Sequence, residues 1–276
     1  MQTLAKQFSV LMSLYSKENP LYLDYCFLSI YNQTLPCNEL ICVYDGPIGN
    51  ELEAVVNNWL NKLPIKIIPL DKNVGLGNAL NEGLKHCTYE LVARMDTDDA
   101  CLNTRFEQQI AYMTLHPDTA ILGCTIYECE SDITTITSTR TVPTDHNDII
   151  EFAKLKNPFN HMSVMFKKSV VLSVGGYKHH YLMEDYNLWL RIIAKSYKVA
   201  NLNNPLLMVR AGSNMIARRK GLAYVKSEYQ LARLKYALHI QPLLPATFTF
   251  VLRSLPRVLP VFLLSYLYKR TRVNSN

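Results

Sequence analysis

The sequence predicts an α/β protein: a mostly parallel, doubly wound sheet with helices on both faces and a helical extension at its C-terminal end. Three observations carry this. Short apolar runs alternate with amphipathic segments through the N-terminal part of the chain. Two of those runs pass directly into an aspartate, Asp45 and Asp96. The final stretch changes to a basic composition broken by prolines. In open α/β sheets ligands bind outside the carboxyl ends of the strands, so both aspartates are candidate contacts.

Phe8 to Leu14 reads as a first buried strand. Asn19-Pro20 opens a helix, with Pro in an early helical position, and the chain leaves it near Thr34-Leu35-Pro36. Glu39 to Tyr44 is a second strand, stopped by Asp45-Gly46-Pro47. A helix over 52–63, a strand over 65–70, the turn Asn73-Val74-Gly75-Leu76-Gly77 and a helix over 78–86 follow. Glu90 to Met95 is a fourth strand, running into Asp96-Thr97-Asp98-Asp99. Beyond it the pattern gives a helix from Arg105 to about His116, strands over 120–127 and 162–166, and helices over 184–195 and 222–239. Pro242, Pro245, Pro256 and Pro260 interrupt the last stretch.

With 276 residues, 49% hydrophobic and 19% charged, the chain can bury a sizeable core. Disorder, collagen-like repetition and a many-span membrane protein are excluded. The net charge of +6 is unevenly spread: residues 209–276 carry twelve Lys/Arg against one acid, Glu228, and the remainder carries seventeen against twenty-two. A basic tail of this kind suits an anionic partner. Seven cysteines without a CxxC pair read as buried free thiols of a reducing compartment. No signal peptide is recognisable, and no run reaches the ~18 consecutive apolar residues of a spanning helix.

Three carboxylates within Asp96-Thr97-Asp98-Asp99 repel one another. A hard divalent cation, Mg²⁺ or Mn²⁺, gives them a reason to be together. Helix capping accounts for Asp98 or Asp99, but not for Asp96 directly after an apolar strand.

Taken in order, strand–Asp45-Gly46, Asn73-Val74-Gly75 before a helix, strand–Asp96-Thr97-Asp98-Asp99, and Gly175-Gly176-Tyr177 ahead of Glu184-Asp185 resemble the family 2 glycosyltransferases of GT-A fold, over roughly residues 8–215. Asn157-Pro158-Phe159-Asn160-His161, Val209-Arg210-Ala211-Gly212, Arg218-Arg219 and Lys226-Ser227-Glu228 resemble a narrower group, the bacterial exopolysaccharide and O-antigen (amylovoran-type) transferases.

The resemblance implies an inverting, metal-dependent transferase with Mn²⁺ or Mg²⁺. Its donor is a nucleoside-diphosphate sugar, UDP being expected, and its acceptor a polyprenyl-diphosphate-linked saccharide. It implies a catalytic domain over 1–215, with a nucleotide half to about 105 and an acceptor half over 106–215, followed by a basic extension over 216–276. Asp45 would meet the nucleobase, with Asn73 and Gly75 shaping the nucleotide site. Asp96 and Asp98 would be the DxD pair, with Asp99 a further metal ligand. Asp185 would be the general base, or else only cap its helix, and Glu184 an acid beside it. The family's Ala-Arg-Asn run is here Asn78-Ala79-Leu80-Asn81, which leaves Lys72 or Arg94 as the basic nucleotide partner. Arg210 is either a phosphate grip or part of a solvated face, and Arg218 and Arg219 carry the same alternatives with donor or lipid phosphate. His161 is a packing residue or a contact to donor sugar or acceptor. His179-His180 read as solvent-exposed loop residues.

The apolar run Val258 to Tyr268 lies between Arg253/Arg257 and Lys269/Arg270/Arg272. It is too short to span a bilayer and suits the interface, giving a cytoplasmic protein peripherally bound to the inner face of the membrane. Nucleic acid is not an expected partner. Rival readings are a nucleotidyltransferase, which would need a Gly-rich basic loop after the first strand, and a dead sugar-nucleotide-binding scaffold. A dehydrogenase is weaker, because Gly75-Leu76-Gly77 lacks the third glycine of a dinucleotide fingerprint.

Overall fold

The computed structural model describes residues 7–130, 132–211 and 220–258. Its strands are β1 (Phe8–Leu14), β2 (Glu39–Tyr44), β3 (Ile65–Pro69), β4 (Leu91–Arg94), β5 (Ala100–Cys101), β6 (Thr119–Cys129), β7 (Ile136–Arg140), β8 (Met165–Lys167) and β9 (Lys198–Arg210). Its helices are α1 (Pro20–Tyr31), α2 (Asn50–Trp59), α3 (Leu76–His86), α4 (Arg105–Leu115), α5 (His146–Leu155), α6 (Lys168–Ser173), α7 (Glu184–Ile193), α8 (Leu222–Ala237) and α9 (Leu243–Ser254).

The strands form one sheet in the order β3-β2-β1-β4-β8-β6-β9-β5, with β7 also on β6. The β3-β2-β1-β4 half is wholly parallel, and β6 runs parallel to β9. The short β8 joins the two halves antiparallel to both neighbours.

Period-two alternation divides the core between the two faces. Val10, Met12 and Leu14 of β1 with Leu40 and Cys42 of β2 pack beneath α1, α2 and α4. Leu11, Ile41 and Val43 point the other way, to a core shared by α3, α5, α6, α7 and α8. All seven cysteines are free and buried. Asn19 caps α1 as expected, its side chain accepting the Leu21 amide at 2.9 Å.

Several elements differ from the sequence reading, which gave none for β5, β7, α5 and α6. The strand expected over 162–166 begins only at Met165, because His161–Ser163 forms a 3₁₀ turn. The thirteen-residue β9 has no alternating signal across Asn201, Asn203, Asn204 and Pro205. Its pairing with β6 shifts register where Thr125 faces Pro205, which has no amide to give the ladder. The proline-broken stretch after Pro242 contains a regular helix, α9.

Candidate active site

Asp45 and Asp96 follow β2 and β4, the two neighbours of β1, so the sheet order sets them on either side of one strand at its carboxyl edge. Asp45 is buried and its carboxylate is engaged. Oδ1 accepts the Val74 amide at 2.6 Å, and Oδ2 accepts the Gly75 amide at 3.1 Å and Asn73 Nδ2 at 3.0 Å. Asp45 therefore shapes the Asn73–Gly75 loop and retains one acceptor direction on Oδ1. Gly46 makes the approach possible: a Cβ there would stand 2.7 Å from the Asn73 nitrogen, and its φ is +83°.

Asp96, Asp98 and Asp99 each offer a carboxylate oxygen within 4.8 Å of the others. Asp99 is buried, one oxygen accepting the Arg210 amide at 3.0 Å and the other without a partner. Burial, then Asp96 and Glu18, push the Asp98 carboxyl up to about 7, and burial with its two neighbours raises Asp99 well above the carboxylate range. Three clustered carboxyls, one with an orphaned buried oxygen, form an oxygen-donor set that fits a hard divalent cation.

Arg210 lies on this cluster. Its Nη1 donates to the Asp98 carbonyl and its guanidinium covers the Tyr22 ring at 3.9 Å. The solvated-face alternative is thereby corrected. Of the two candidate basic residues, Lys72 is exposed, whereas Arg94 is 1% exposed and ion-paired to Asp96. Arg218 and Arg219 lie outside the described residues, as does the apolar run beyond Val258 with its flanking Lys269, Arg270 and Arg272.

Asp185 stands in the first turn of α7. Asn157 Nδ2 donates to its Oδ2 at 2.7 Å, and the Tyr186 amide donates to its Oδ1 at 2.7 Å. Burial and the adjacent Asp185 raise the Glu184 carboxyl. Tyr177 is buried, and it and the Glu184 side chain both stand against Gly77; burial is the first cause that raises its hydroxyl. His161 Nε2 lies 2.9 Å from that hydroxyl, and its ring packs on Tyr177 and Trp189. Burial, then Arg94, holds His161 well below its usual range, so it stays neutral.

Gly175-Gly176-Tyr177 is clamped from two helices. Asn81 of α3 accepts the Tyr177 amide and donates to its carbonyl, both at 2.8 Å. Arg191 of α7 donates to the carbonyls of Gly176 and Val174.

The sequence reading gave no role to Asn157, Tyr177, Tyr22 or Glu18. Asn157 and Tyr177 stood inside quoted motifs, and a lone arginine in the apolar run of β4 was the available signal for Arg94. One histidine reading is corrected: His179 is exposed but His180 is buried, Nε2 lying 2.9 Å from the Ser227 carbonyl of α8. Arg253 is likewise no lipid contact. Its Nε and Nη2 pair with the two carboxylate oxygens of buried Glu228 at 2.6 and 2.9 Å.

Residues 9–172 match the family model described as Glycosyl transferase family 2. The chain is 49% identical to the amylovoran biosynthesis glycosyltransferase AmsE of Erwinia amylovora, over 96% of this chain and 99% of that one. It is 36% identical to the Escherichia coli UDP-Gal:alpha-D-GlcNAc-diphosphoundecaprenol beta-1,3-galactosyltransferase, over 96% of each. Among solved structures, S. aureus TarS 1–349 in complex with UDP-GlcNAc superposes with a TM-score of 0.66 at 16% identity, covering 90% of this chain and 72% of that one. A longer TarS chain is covered to 43%. The Pyrobaculum calidifontis mannosyltransferase PcManGT, in complex with GDP-Man and Mn²⁺, gives 0.63 at 17% identity, covering 98% and 81%.

Proposed function

The chain belongs to glycosyl transferase family 2 and has the GT-A fold, and on that premise we propose that it moves a sugar from a UDP donor, with inversion, to a saccharide carried on a polyprenyl diphosphate during assembly of a bacterial surface polysaccharide. One observation carries the reading: a triad of carboxylates, one with an orphaned buried oxygen, lies against Arg210 beyond the carboxyl end of β4. The relatives' names support the class of pathway and acceptor, since one takes UDP-Gal to a GlcNAc-diphosphoundecaprenol and another serves amylovoran biosynthesis.

In this reading Asp45 and the Asn73–Gly75 loop receive the nucleoside, and Arg210 grips phosphate, the fork of Arg suiting that task. Asp96, Asp98 and Asp99 hold Mn²⁺ or Mg²⁺, which when bound supplies neutralisation of the charge developing on the diphosphate. Arg94 fixes Asp96 from beneath. Asp185 accepts the proton of the attacking acceptor hydroxyl, help typically worth ~10²–10⁴-fold. Asn157 and the Tyr186 amide orient that carboxylate, and Glu184 and His161 line the acceptor side.

Residues 1–215 form the catalytic unit, and 216–276 place it at the inner face of the membrane from the cytoplasm. The outward side of α9 supports this, with Leu244, Phe248 and Leu252 exposed. No helix among the described residues is long and apolar enough to cross a membrane.

The test is calorimetric titration with UDP, GDP and dTDP, with and without Mn²⁺. Metal-dependent binding selective for UDP is expected. Absence of binding to any of them by folded protein would overturn the reading.

A further inference from the structure

The carboxyl end of α5 is held by three other helices. The carbonyls of its last three residues each accept a side-chain donor from a different one. Ala153 takes the Tyr186 hydroxyl of α7 at 2.7 Å, Lys154 takes Lys235 Nζ of α8 at 2.6 Å, and Leu155 takes Arg253 Nη1 of α9 at 2.7 Å. A helix leaves just these carbonyls without internal partners, and cations are favoured at that end.

The donors are costly to place. Lys235 and Glu228 are 2% and 1% exposed, and burying charge is unfavourable unless each group is paired. Glu228 holds Arg253 through two hydrogen bonds, whereas Lys235, brought down to about 7 by burial and then by Arg253, has the Lys154 carbonyl as its acceptor. Both side chains lie over the Tyr186 ring, at 5.1 Å for Lys235 and 5.8 Å for Arg253.

Two residues beyond Leu155 the chain reaches Asn157, which donates to Asp185 Oδ2. Tyr186, whose hydroxyl and ring are gripped by the same cluster, donates its amide to Asp185 Oδ1. One of the two hydrogen bonds on the Asp185 carboxylate thus comes from a residue whose ring Lys235 and Arg253 cover, and the other from a residue two positions beyond the carbonyl that Arg253 holds.

We propose that Lys235 and Arg253 are positioning residues for the Asp185 carboxylate, acting through the end of α5 on Asn157 and through the ring of Tyr186. The inference rests on the reading of Asp185 as general base. It makes α8 and α9 part of the reaction geometry as well as a route to the membrane.

The test uses the full chain and four single variants, Arg253→Met, Arg253→Lys, Asn157→Ala and Asp185→Asn, with the Asn157→Ala/Arg253→Met double. UDP affinity is measured in Mn²⁺. Turnover is measured as UDP released from UDP-galactose, UDP-glucose or UDP-N-acetylglucosamine, with water or a synthetic GlcNAc-diphospholipid as acceptor. Arg253→Met is expected to lower kcat by about tenfold or more, since misplacing a catalytic group by an ångström costs on the order of a hundredfold. UDP affinity and donor KM should stay within about twofold, and Arg253→Lys should recover most of the loss. The loss in the double should be smaller than the product of the single losses, because the route through Asn157 is shared and only the route through Tyr186 remains.

A kcat within about twofold of wild type in Arg253→Met, or losses that multiply in the double, overturns the inference. If circular dichroism shows Arg253→Met unfolded, Lys235→Met, alone and combined with Asn157→Ala, carries the same comparison. Near-normal turnover in Asp185→Asn removes the base reading itself. An inactive Asp185→Asn beside a fully active Arg253→Met removes only the positioning role.

Discussion

Val74 donates its backbone amide to Oδ1 of Asp45 at 2.6 Å, joining two turns that are 29 residues apart in sequence. The carboxylate that ends β2 is thus the template for the loop that starts α3. Asp45→Ala removes the acceptor of three donors at once. A donor left unpaired costs about 1–3 kcal/mol, with the lower end applying where water can reach it, as at exposed Asn73. We expect a stability loss of roughly 1–3 kcal/mol by denaturant unfolding and a loss of UDP affinity of about tenfold or more. Unchanged UDP affinity would detach the loop from nucleotide recognition.

Proton release links the acidic cluster to metal binding. Asp98 is held up to about 7 by burial, Asp96 and Glu18, and burial with Asp98 and Asp96 raises Asp99 well above the carboxylate range. Their folded values lie above the unfolded one, so metal-free protein is stabilised at low pH and loses that contribution as pH rises through about 7. A cation needs the deprotonated forms, so its affinity rises over the same window, by about tenfold per pH unit for each proton released. The gap between melting temperatures in Mn²⁺ and in chelator should widen from about pH 5 to 8. A gap independent of pH would show that these carboxyls do not take the ion.

Gly176 tests the clamp on Tyr177. Its φ is +63°, and a Cβ there would collide with Asn81 Oδ1, which holds the Tyr177 amide. Gly176→Ala should both strain the backbone and break the Asn81 pair, lowering stability by about 1–3 kcal/mol. Turnover should fall further than UDP affinity, since Tyr177 and Glu184 stand together against Gly77. Equal losses in both would place the defect in folding alone.

These contacts mark where the sequence was legible. Asp45, Asp96 and Asp185 were readable because each sits at a change of period, a strand end or a helix start. What joins them was not. The Asp45 carboxylate turns inward to the Asn73–Gly75 amides, a hydrogen bond that no spacing rule encodes. Asn157 meets Asp185 from two residues beyond the end of α5, a contact between residues 28 apart that no local pattern announces. The mixed half of the sheet was hidden for a local reason: Pro205 and its asparagines conceal β9, whose pairing is supplied by the neighbouring β6. Basic composition also misled, because Lys235 is buried and the half-buried Arg253 is paired with Glu228 and not free for a lipid.

That last point decides how the membrane surface is to be tested. Removing residues from 253 onward would strip Glu228 of its partner and uncap α5, so lost membrane binding could reflect a damaged fold. Phe248 and Leu252 stand on the exposed side of α9, at 70% and 57% exposure. Phe248→Ser with Leu252→Ser removes apolar area without touching the buried cluster. Each side chain, if fully buried in the interface, contributes about 1.5–3 kcal/mol. Partial immersion still predicts a fall of about tenfold or more in partitioning to vesicles containing anionic phospholipid, read by co-sedimentation. UDP affinity should be unchanged, because neither exposed side chain belongs to the residues assigned to the nucleotide. Unaltered partitioning would move the membrane contact away from this face of α9.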